Sequence, residues 1–192
     1  MDLVGILERE TLHFKINKMA DLQKFVESLL EAEFEEFYPL SGGASADIYN
    51  ITLKNGKRFV LRKTPENSES RLAITKKIEA KVQKIVKKND IPVPLIIKEF
   101  DESSGVGSGY VMEFILGETI PRKILRDEKF AQIRPNLTYR IGEILAKIHR
   151  TDLSEIKELE KMTFYDSLNK LYEVYSSFNE PQPVFELSLI HI

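Results

Sequence analysis

The stretch that decides the fold is Asp47–Lys63, which reads DIYNITLKNGKRFVLRK. Two runs rich in β-branched and aromatic residues, 47–54 and 57–63, flank the dipeptide Asn55-Gly56. Asn-Gly between such runs is the strongest short-range signal for a β-hairpin, because a type I′ turn requires positive φ at both central residues. The stretch therefore predicts two antiparallel strands joined by a tight turn.

The predicted register of this hairpin places one cation on a defined face. A two-residue loop would pair Ile51 with Val60 and Tyr49 with Arg62, and directly opposite residues share a face of the sheet. The sequence therefore predicts that Arg62 projects on the same side as Ile51 and Val60, beside an apolar floor.

A turn-prone run, Ser41-Gly42-Gly43-Ala44-Ser45, precedes the hairpin. Glycine lets a backbone approach a phosphate closely, because it has no Cβ to clash. Two adjacent glycines are also common in ordinary turns, so this run alone does not define a phosphate site.

A helix is predicted over 70–89, with the apolar positions Ile74, Ile78, Val82 and Ile85 as its buried stripe. Glu79 is the only acid between Arg71 and Asn89, and it falls at the edge of that stripe. The remaining surface is predicted to be a solvated face rich in lysine, comprising Lys76, Lys77, Lys81, Lys84, Lys87 and Lys88.

The rest of the chain changes from strands to helices. Strands are predicted over 95–100 and 110–115, while 1–17 is predicted to be irregular and about 20–33 helical. After Pro121 the pattern is helical almost throughout, with two apolar stripes, Leu137, Ile141, Ile144, Leu145 and Ile148, then Phe164, Leu168, Leu171, Tyr172, Tyr175 and Phe178.

Strands followed by helices favour an α+β fold in two lobes. The predicted division is an N-terminal extension and helix (1–34), a strand-rich small lobe (35–115), and a hinge with part of a helical large lobe (116–192).

Composition narrows the class of protein. The chain has 192 residues and a formal net charge of −2, which gives no global attraction to nucleic acid or to an anionic membrane. It has no Cys, and no apolar run approaches the roughly 20 residues that span a bilayer. These features predict a soluble, cytoplasmic protein that binds neither nucleic acid nor membrane.

Several segments together resemble one known family in their order and spacing. They are Leu40–Ser45, Val60-Leu61-Arg62, Glu79 thirteen residues before Pro92-Val93-Pro94, Tyr110–Phe114 followed by Gly117-Glu118, and Leu145–His149. This pattern resembles the aminoglycoside phosphotransferase-like family, which includes choline and homoserine kinases and the kinase-like domains fused to some acyl-CoA dehydrogenases.

The resemblance implies a protein-kinase-like fold and an ATP- and Mg²⁺-dependent phosphotransferase acting on the hydroxyl of a small-molecule substrate. It implies a fusion or association with an acyl-CoA dehydrogenase as well. The residues implied to bind the nucleotide are the loop Ser41, Gly42, Gly43, Ala44 and Ser45, the phosphate-pairing cation Arg62, its acidic partner Glu79, and the hinge Met112, Glu113 and Phe114.

The family's catalytic loop, His-Gly-Asp followed by Asn with a later metal-binding Asp, has no counterpart in this sequence. The chain is therefore expected to bind nucleotide weakly and to transfer no phosphate, with the metal ligands in a missing C-terminal part. The final six residues, Leu187–Ile192, match a translated transposon end used in sequencing libraries. We accordingly expect a truncated chain with a complete small lobe and a partial large lobe.

Two other functions fit the same sequence. One is a non-catalytic, regulatory nucleotide-binding module that has lost its chemistry, and the other is a generic α+β interaction domain that binds no nucleotide. Nothing in the sequence indicates which small molecule would accept the phosphate.

Overall fold

A computed structural model describes residues 3–40, 46–65, 74–159 and 162–178, with side chains from residue 17 onward. Five α-helices, two short 3₁₀ helices (Glu102–Ser104 and Glu128–Phe130) and five strands alternate irregularly along these ranges. The helices are α1 (Leu3–Leu30), α2 (Lys76–Lys88), α3 (Pro121–Arg126), α4 (Arg134–Arg150) and α5 (Phe164–Ser177). The strands are β1 (Phe34–Pro39), β2 (Asp47–Leu53), β3 (Arg58–Lys63), β4 (Ile96–Phe100) and β5 (Gly109–Glu113).

The five strands form one antiparallel sheet in the order β1-β2-β3-β5-β4. The central strand, β3, is therefore the neighbour of β5 although α2 and β4 separate them in the sequence. Strand β1 was not predicted, and Pro39 ends it. Proline cannot donate to a ladder, which is why this strand is tolerated at the edge of the sheet.

The predicted hairpin is present, but its predicted register is wrong by one residue. The loop has three residues, Lys54–Gly56, closed by hydrogen bonds from the Gly56 amide to the Leu53 carbonyl and from the Leu53 amide to the Lys57 carbonyl. Only Gly56 has positive φ, at 80°, as in a type I turn followed by a bulge.

The extra loop residue changes the partner of every residue in the hairpin. Arg62 lies opposite Ile48, and Val60 opposite Asn50. Arg62 therefore shares a face with Val60, as predicted, but not with Ile51.

Helix α1 covers the other face of the sheet, which we call the back face. Leu22 and Val26 of α1 pack on a cluster of buried apolar residues, Phe34, Ile51, Leu53, Leu61 and Val111. The ring of Phe25 meets that of Phe100 edge-on, with centroids 5.2 Å apart. This cluster is the hydrophobic core, since burying such side chains contributes about 1.5–3 kcal/mol each.

Helix α1 begins at Leu3, so the prediction that residues 1–17 are irregular is wrong for the residues described. Leu3, Ile6 and Leu7 already have i, i+3, i+4 spacing, and there is no proline before Pro39. Asp2 and Glu8–Glu10 flank this short apolar run, so its helical period was overlooked.

Helix α2 begins at Lys76, six residues later than predicted, because Thr75 caps it by accepting a hydrogen bond from the Ile78 amide. Residues 66–73 lie outside the described ranges. The predicted stripe is only partly buried, and Ile74 is exposed. The residues that point most deeply into the protein are instead Lys76, Ala80 and Val86.

Helices α3, α4 and α5 confirm the predicted helical character of the chain after Pro121. Contacts divide the chain into two compact units, 1–156 and 157–192, and α5 belongs to the second. Within the first unit, α4 has an exposed apolar face that includes Ile141, which is 56% exposed.

No helix in the described ranges is both long and apolar enough to cross a membrane. The predicted lobe boundaries at residues 34 and 115 stay a prediction.

Candidate functional site

The face of the sheet opposite α1, which we call the front face, brings an arginine and a tyrosine together at its centre. In the β3–β5 ladder Arg62 lies directly opposite Tyr110, and Val60 lies opposite Met112. Side chains at directly opposite positions share a face, with Cβ atoms roughly 5 Å apart. The ladder therefore fixes a cation beside a phenol, with apolar neighbours next to them.

Helix α2 supplies the carboxylate. Since Thr75 is the N-cap, Glu79 falls in the first turn of the helix. A carboxylate there is favoured by the partial positive charge of the helix N-terminus. Because the helix begins after Thr75, Glu79 lies in its first turn.

Three side chains converge on this one carboxylate, and we call the group Arg62, Lys76, Glu79 and Tyr110 the front-face cluster. Arg62 lies 3.2 Å (Nε) from Oε2 of Glu79 and 3.4 Å (Nη2) from Oε1. Lys76 donates to Oε1 from 3.0 Å, and the Tyr110 hydroxyl donates to Oε2 from 3.2 Å.

The Nε atom of Arg62 is in an unusual position. It is buried, and among the described residues it has no hydrogen-bond partner. Oε2 of Glu79 is near enough for an ion pair, but the N–H does not point along that line, so the contact is electrostatic. The buried Nε therefore faces Glu79, and because the Arg62 side chain is 27% exposed, a further anion could reach only the outer part of the guanidinium.

The environment of Tyr110 keeps its hydroxyl protonated. Burial, which is the largest cause, and the negative charge of Glu79 together raise the pKa of Tyr110 to about 12, although the positive charge of Arg62 acts in the opposite direction. The residue is 2% exposed. Tyr110 therefore acts in this cluster as a neutral hydrogen-bond donor to Glu79.

The sequence pattern did not identify Lys76 as a site residue, since it predicted this lysine on the solvated face of the helix. Its side chain is only 4% exposed and meets Glu79 within the same helix turn. The i, i+3 spacing of Lys76 and Glu79 was the available signal, because residues three apart are neighbours on a helix.

The predicted hinge residues follow directly along β5. Met112 lies on the front face, and its sulfur is 4.0 Å from Nε2 of Gln83 in α2. The carboxylate of Glu113 accepts a hydrogen bond from the Leu95 amide. The ring of Phe114 lies under the guanidinium of Arg58, 3.7 Å from its centroid.

Beyond Phe114 the chain leaves the sheet. In the described part of the chain, the backbone groups of Ile115 and Leu116 make no backbone hydrogen bond, and Leu116 is 86% exposed.

The structure thus brings together Arg62, Glu79 and Tyr110 and places Met112 on the same face. The predicted loop Ser41–Ser45 lies outside the described residues. The described strands before and after this loop are β1 and β2, and β2 pairs with β3, the strand that carries Arg62. The binding roles of all the predicted site residues stay predictions.

A cavity of about 990 Å³ lies on the back face and is separate from the cluster. Tyr49, Lys63 and residues of α1 line it. Lys63 is buried, with its Nζ atom 3.8 Å from Oδ2 of Asp47. Because successive residues of a strand point to opposite faces, the side chains of Arg62 and Lys63 lie on opposite faces of the sheet.

The charge of the front-face cluster suits a polyanion. Two cations, Arg62 and Lys76, share the single carboxylate of Glu79, which leaves one positive charge uncompensated in the cluster. In the described ranges no group of three or more acidic, histidine or cysteine side chains could hold a metal ion.

The order of the strands, the packing of α2 on β4 and β5, and the cation–carboxylate pair define a kinase-like fold. The chain matches the model of the phosphotransferase enzyme family (APH) over residues 36–175, more than half of its length, and belongs to this family. The predicted family and fold class are thereby confirmed. Among curated proteins, none matches the chain.

Because the chain belongs to this family, it is a kinase-like protein in general. Phosphotransferases of this family generally use ATP and Mg²⁺. The association with an acyl-CoA dehydrogenase stays a prediction.

Proposed function

We propose that the chain binds ATP at the front face as part of a cytoplasmic phosphotransferase that acts on a small-molecule hydroxyl. The observation that carries this proposal is the pair of Arg62 with Glu79 on β3 and α2. A fixed cation, oriented by an acid, holds the phosphates of the nucleotide in kinase-like proteins.

Each part of the front face has a role in the proposal. The exposed part of the Arg62 guanidinium would hold the phosphates. The loop Ser41–Ser45 would approach the phosphates through its backbone amides. The peptide groups after Phe114 would hold the adenine ring, and Val60 and Met112, which pair on the front face, would supply apolar contacts to it.

Bound Mg²⁺ would neutralise charge on the phosphates. The chain's own contribution is then to position the nucleotide and to exclude water from the phosphate-binding cation. The sequence contains no His-Gly-Asp segment to accept the proton of a substrate hydroxyl. The proposal for residues 1–192 is therefore binding without phosphate transfer.

Thermal melting tests the binding step. A ligand that binds the native state raises the midpoint of unfolding in proportion to the logarithm of its concentration over Kd. We expect Mg-ATP at about 100 times Kd to stabilise the chain by about 2.7 kcal/mol, and Arg62→Met to abolish most of that shift. Arg140→Met removes a guanidinium from the exposed surface of α4 and should keep the full shift.

Two results would contradict the proposal. If Mg-ATP does not raise the midpoint of unfolding of the parent chain, the chain is instead a generic interaction domain that binds no nucleotide. An equal shift in the parent and in Arg62→Met would mean that the nucleotide binds somewhere other than the front face. Phosphate transfer to a panel of small alcohols by residues 1–192 would contradict the inactive state proposed for this chain.

A further inference from the structure

A chain of hydrogen bonds crosses the front face near the point where β5 ends. Nη2 of Arg58 donates to Oδ1 of Asn50 from 3.0 Å, and Nδ2 of Asn50 donates to Oγ1 of Thr52 from 3.1 Å. The Thr52 hydroxyl then donates to Oε2 of Glu36, also from 3.1 Å. A cation of β3 and a carboxylate of β1 are thus joined through two neutral side chains of β2.

The two ends of this chain orient the side chains between them. A guanidinium can only donate hydrogen bonds and a carboxylate can only accept them, so the Asn50 amide and the Thr52 hydroxyl each have one consistent orientation. Asn50 is completely buried, although asparagine is disfavoured in strands. Residues that violate local preferences in this way are expected at functional sites.

The guanidinium at the start of the chain contacts the first residue after β5. Cζ of Arg58 lies 3.7 Å from the centroid of the Phe114 ring. A planar guanidinium over an aromatic ring is attracted by the charge distribution of the ring and stacks on it. Arg58 therefore ties the point where the backbone leaves β5 to the two strands on the other side of the sheet.

Arg58 also has a defined place relative to the proposed nucleotide. Arg58, Val60 and Arg62 alternate along one face of β3, and a rise of about 3.3 Å per residue places the first and last Cα atoms about 13 Å apart. Phosphates at Arg62 and a base at Val60 and Met112 would leave Arg58 at the end of the front face next to the hinge.

We propose that Arg58 is a positioning residue for the base of the nucleotide. Held by Asn50, it packs on Phe114 and fixes the following peptide groups in place for the adenine ring. This inference rests on the proposed function. Ordering a segment on binding costs free energy, and a hinge that is already held in place avoids that cost. The effect concerns the base and leaves the phosphates at Arg62 unaffected.

Calorimetric titration of the intact chain with Mg-ATP and with inorganic pyrophosphate tests this role. Arg58→Met removes the guanidinium and keeps most of the side-chain volume. We expect it to raise the Kd for Mg-ATP by about three- to tenfold, within the usual coupling between contacting groups. The Kd for pyrophosphate, which has no base, should stay unchanged. Arg140→Met removes a guanidinium from the exposed surface of α4 and should change neither Kd.

A double-mutant cycle with Mg-ATP shows whether Arg58 acts through Phe114. In the Phe114→Leu background the ring is gone, so Arg58→Met should raise the Kd no further. Independent effects that multiply would overturn the inference, because Arg58 would then act on the nucleotide without Phe114. This cycle decides the matter alone if the binding of pyrophosphate is too weak to measure.

A second variant covers the case in which Arg58→Met does not fold. Arg58→Gln keeps a donor for Asn50 but removes the charged plane over the Phe114 ring, and it should raise the Kd for Mg-ATP in the same way. If neither variant folds, Arg58 is required for the sheet itself and the inference is overturned.

The outcomes separate this inference from the proposed function. Equal Kd values for Mg-ATP in the parent and in Arg58→Met overturn the positioning role and leave the proposed function intact. An equal rise for both ligands also overturns it, because the charge of Arg58 would then attract any polyanion. A parent chain that binds pyrophosphate but not Mg-ATP overturns it by contradicting adenine binding at the hinge. A parent chain that binds neither ligand overturns the proposed function as well.

Discussion

The two faces of the same sheet are built from opposite kinds of side chain. On the back face, Ile51, Leu61 and Val111 are completely buried under α1. On the front face the corresponding neighbours, one residue further along β3 and one residue earlier along β5, are Arg62 and Tyr110. A shift of one residue along a strand thus separates a dry apolar core from a charged cluster.

This difference indicates a division of labour. The back face buries apolar area and accounts for most of the stability that the sheet provides. The front face holds a carboxylate shared by two cations, an arrangement that adds little net stability because desolvation offsets the attraction. The comparison therefore predicts that substitutions on the two faces have different consequences.

The largest effect is expected from Leu61→Ala on the back face. Removing a completely buried leucine leaves a cavity, and such changes cost about 2–5 kcal/mol. Urea unfolding should report this loss, while the folded fraction keeps the parent Kd for Mg-ATP. The matched change on the front face is Arg62→Met, which should cost clearly less stability and weaken Mg-ATP binding. A reversed pattern would contradict the division of labour.

The next effect concerns Gly109, which lies where β5 passes Lys63 of β3. A Cβ at this position would be 2.6 Å from the Arg62 carbonyl oxygen and 2.9 Å from the Lys63 Cα atom. Gly109→Ala must therefore push β3 and β5 apart, and we expect a loss of about 1–3 kcal/mol. Gly117→Ala is the control, because nothing lies within 4 Å of a Cβ there. Equal stability of the two variants would contradict the close packing at Gly109.

A smaller effect is the dependence of the free energy of unfolding on pH, which Tyr110 of the front face should cause. The pKa of Tyr110 is raised from 10.0 to about 12, so between these values the unfolded chain loses this proton while the folded chain keeps it. Tyr110 contributes its full stability below pH 10, and that contribution is lost as the pH rises to 12.

The measurement is urea unfolding of the parent and of Tyr110→Phe across this pH range. The parent should lose about 1–2 kcal/mol more than Tyr110→Phe, which lacks the ionisable group. Parallel pH profiles would contradict a buried, protonated Tyr110. Tyr139→Phe on the exposed surface of α4 should follow the parent.

The smallest effect is expected at the cap of α2. Thr75→Ala removes the acceptor for the Ile78 amide, and losing an N-cap of this kind costs about 1 kcal/mol. Thr163→Ala is the matched change at the capping box of α5, which lies in the other compact unit. Since Thr75 presents Glu79, only Thr75→Ala should also raise the Kd for Mg-ATP. An unchanged Kd would mean that the first turn of α2 stays in place without its cap.

Much of the fold could be predicted from periodicity, because apolar residues are spaced regularly in β2, β3, α4 and α5. The hairpin register could not. Asn-Gly is compatible with both a two-residue and a three-residue loop, and the difference of one residue exchanges the face on which each side chain points. Strand β1 was missed because it is an edge strand that ends in Pro39.

In the site, Arg62 and Glu79 could be predicted as a pair because the family pattern contains both. Lys76 could not be found from hydrophobicity, since the apolar stripe of α2 pointed the prediction to another face of the helix. The i, i+3 spacing did record Glu79 as a neighbour of Lys76. The burial of the pair could not be predicted locally, because Arg62 and Tyr110 of the sheet also contact Glu79.

The central claim is that the front-face cluster binds the phosphates of ATP through Arg62, and calorimetric titration with Mg-ATP tests it most directly. We expect the parent chain and folded Leu61→Ala to bind Mg-ATP saturably and with the same Kd. We also expect a Kd at least about tenfold higher for Arg62→Met, the loss of one charge-assisted contact. No binding by the parent, or one Kd shared by the parent and Arg62→Met, would contradict it.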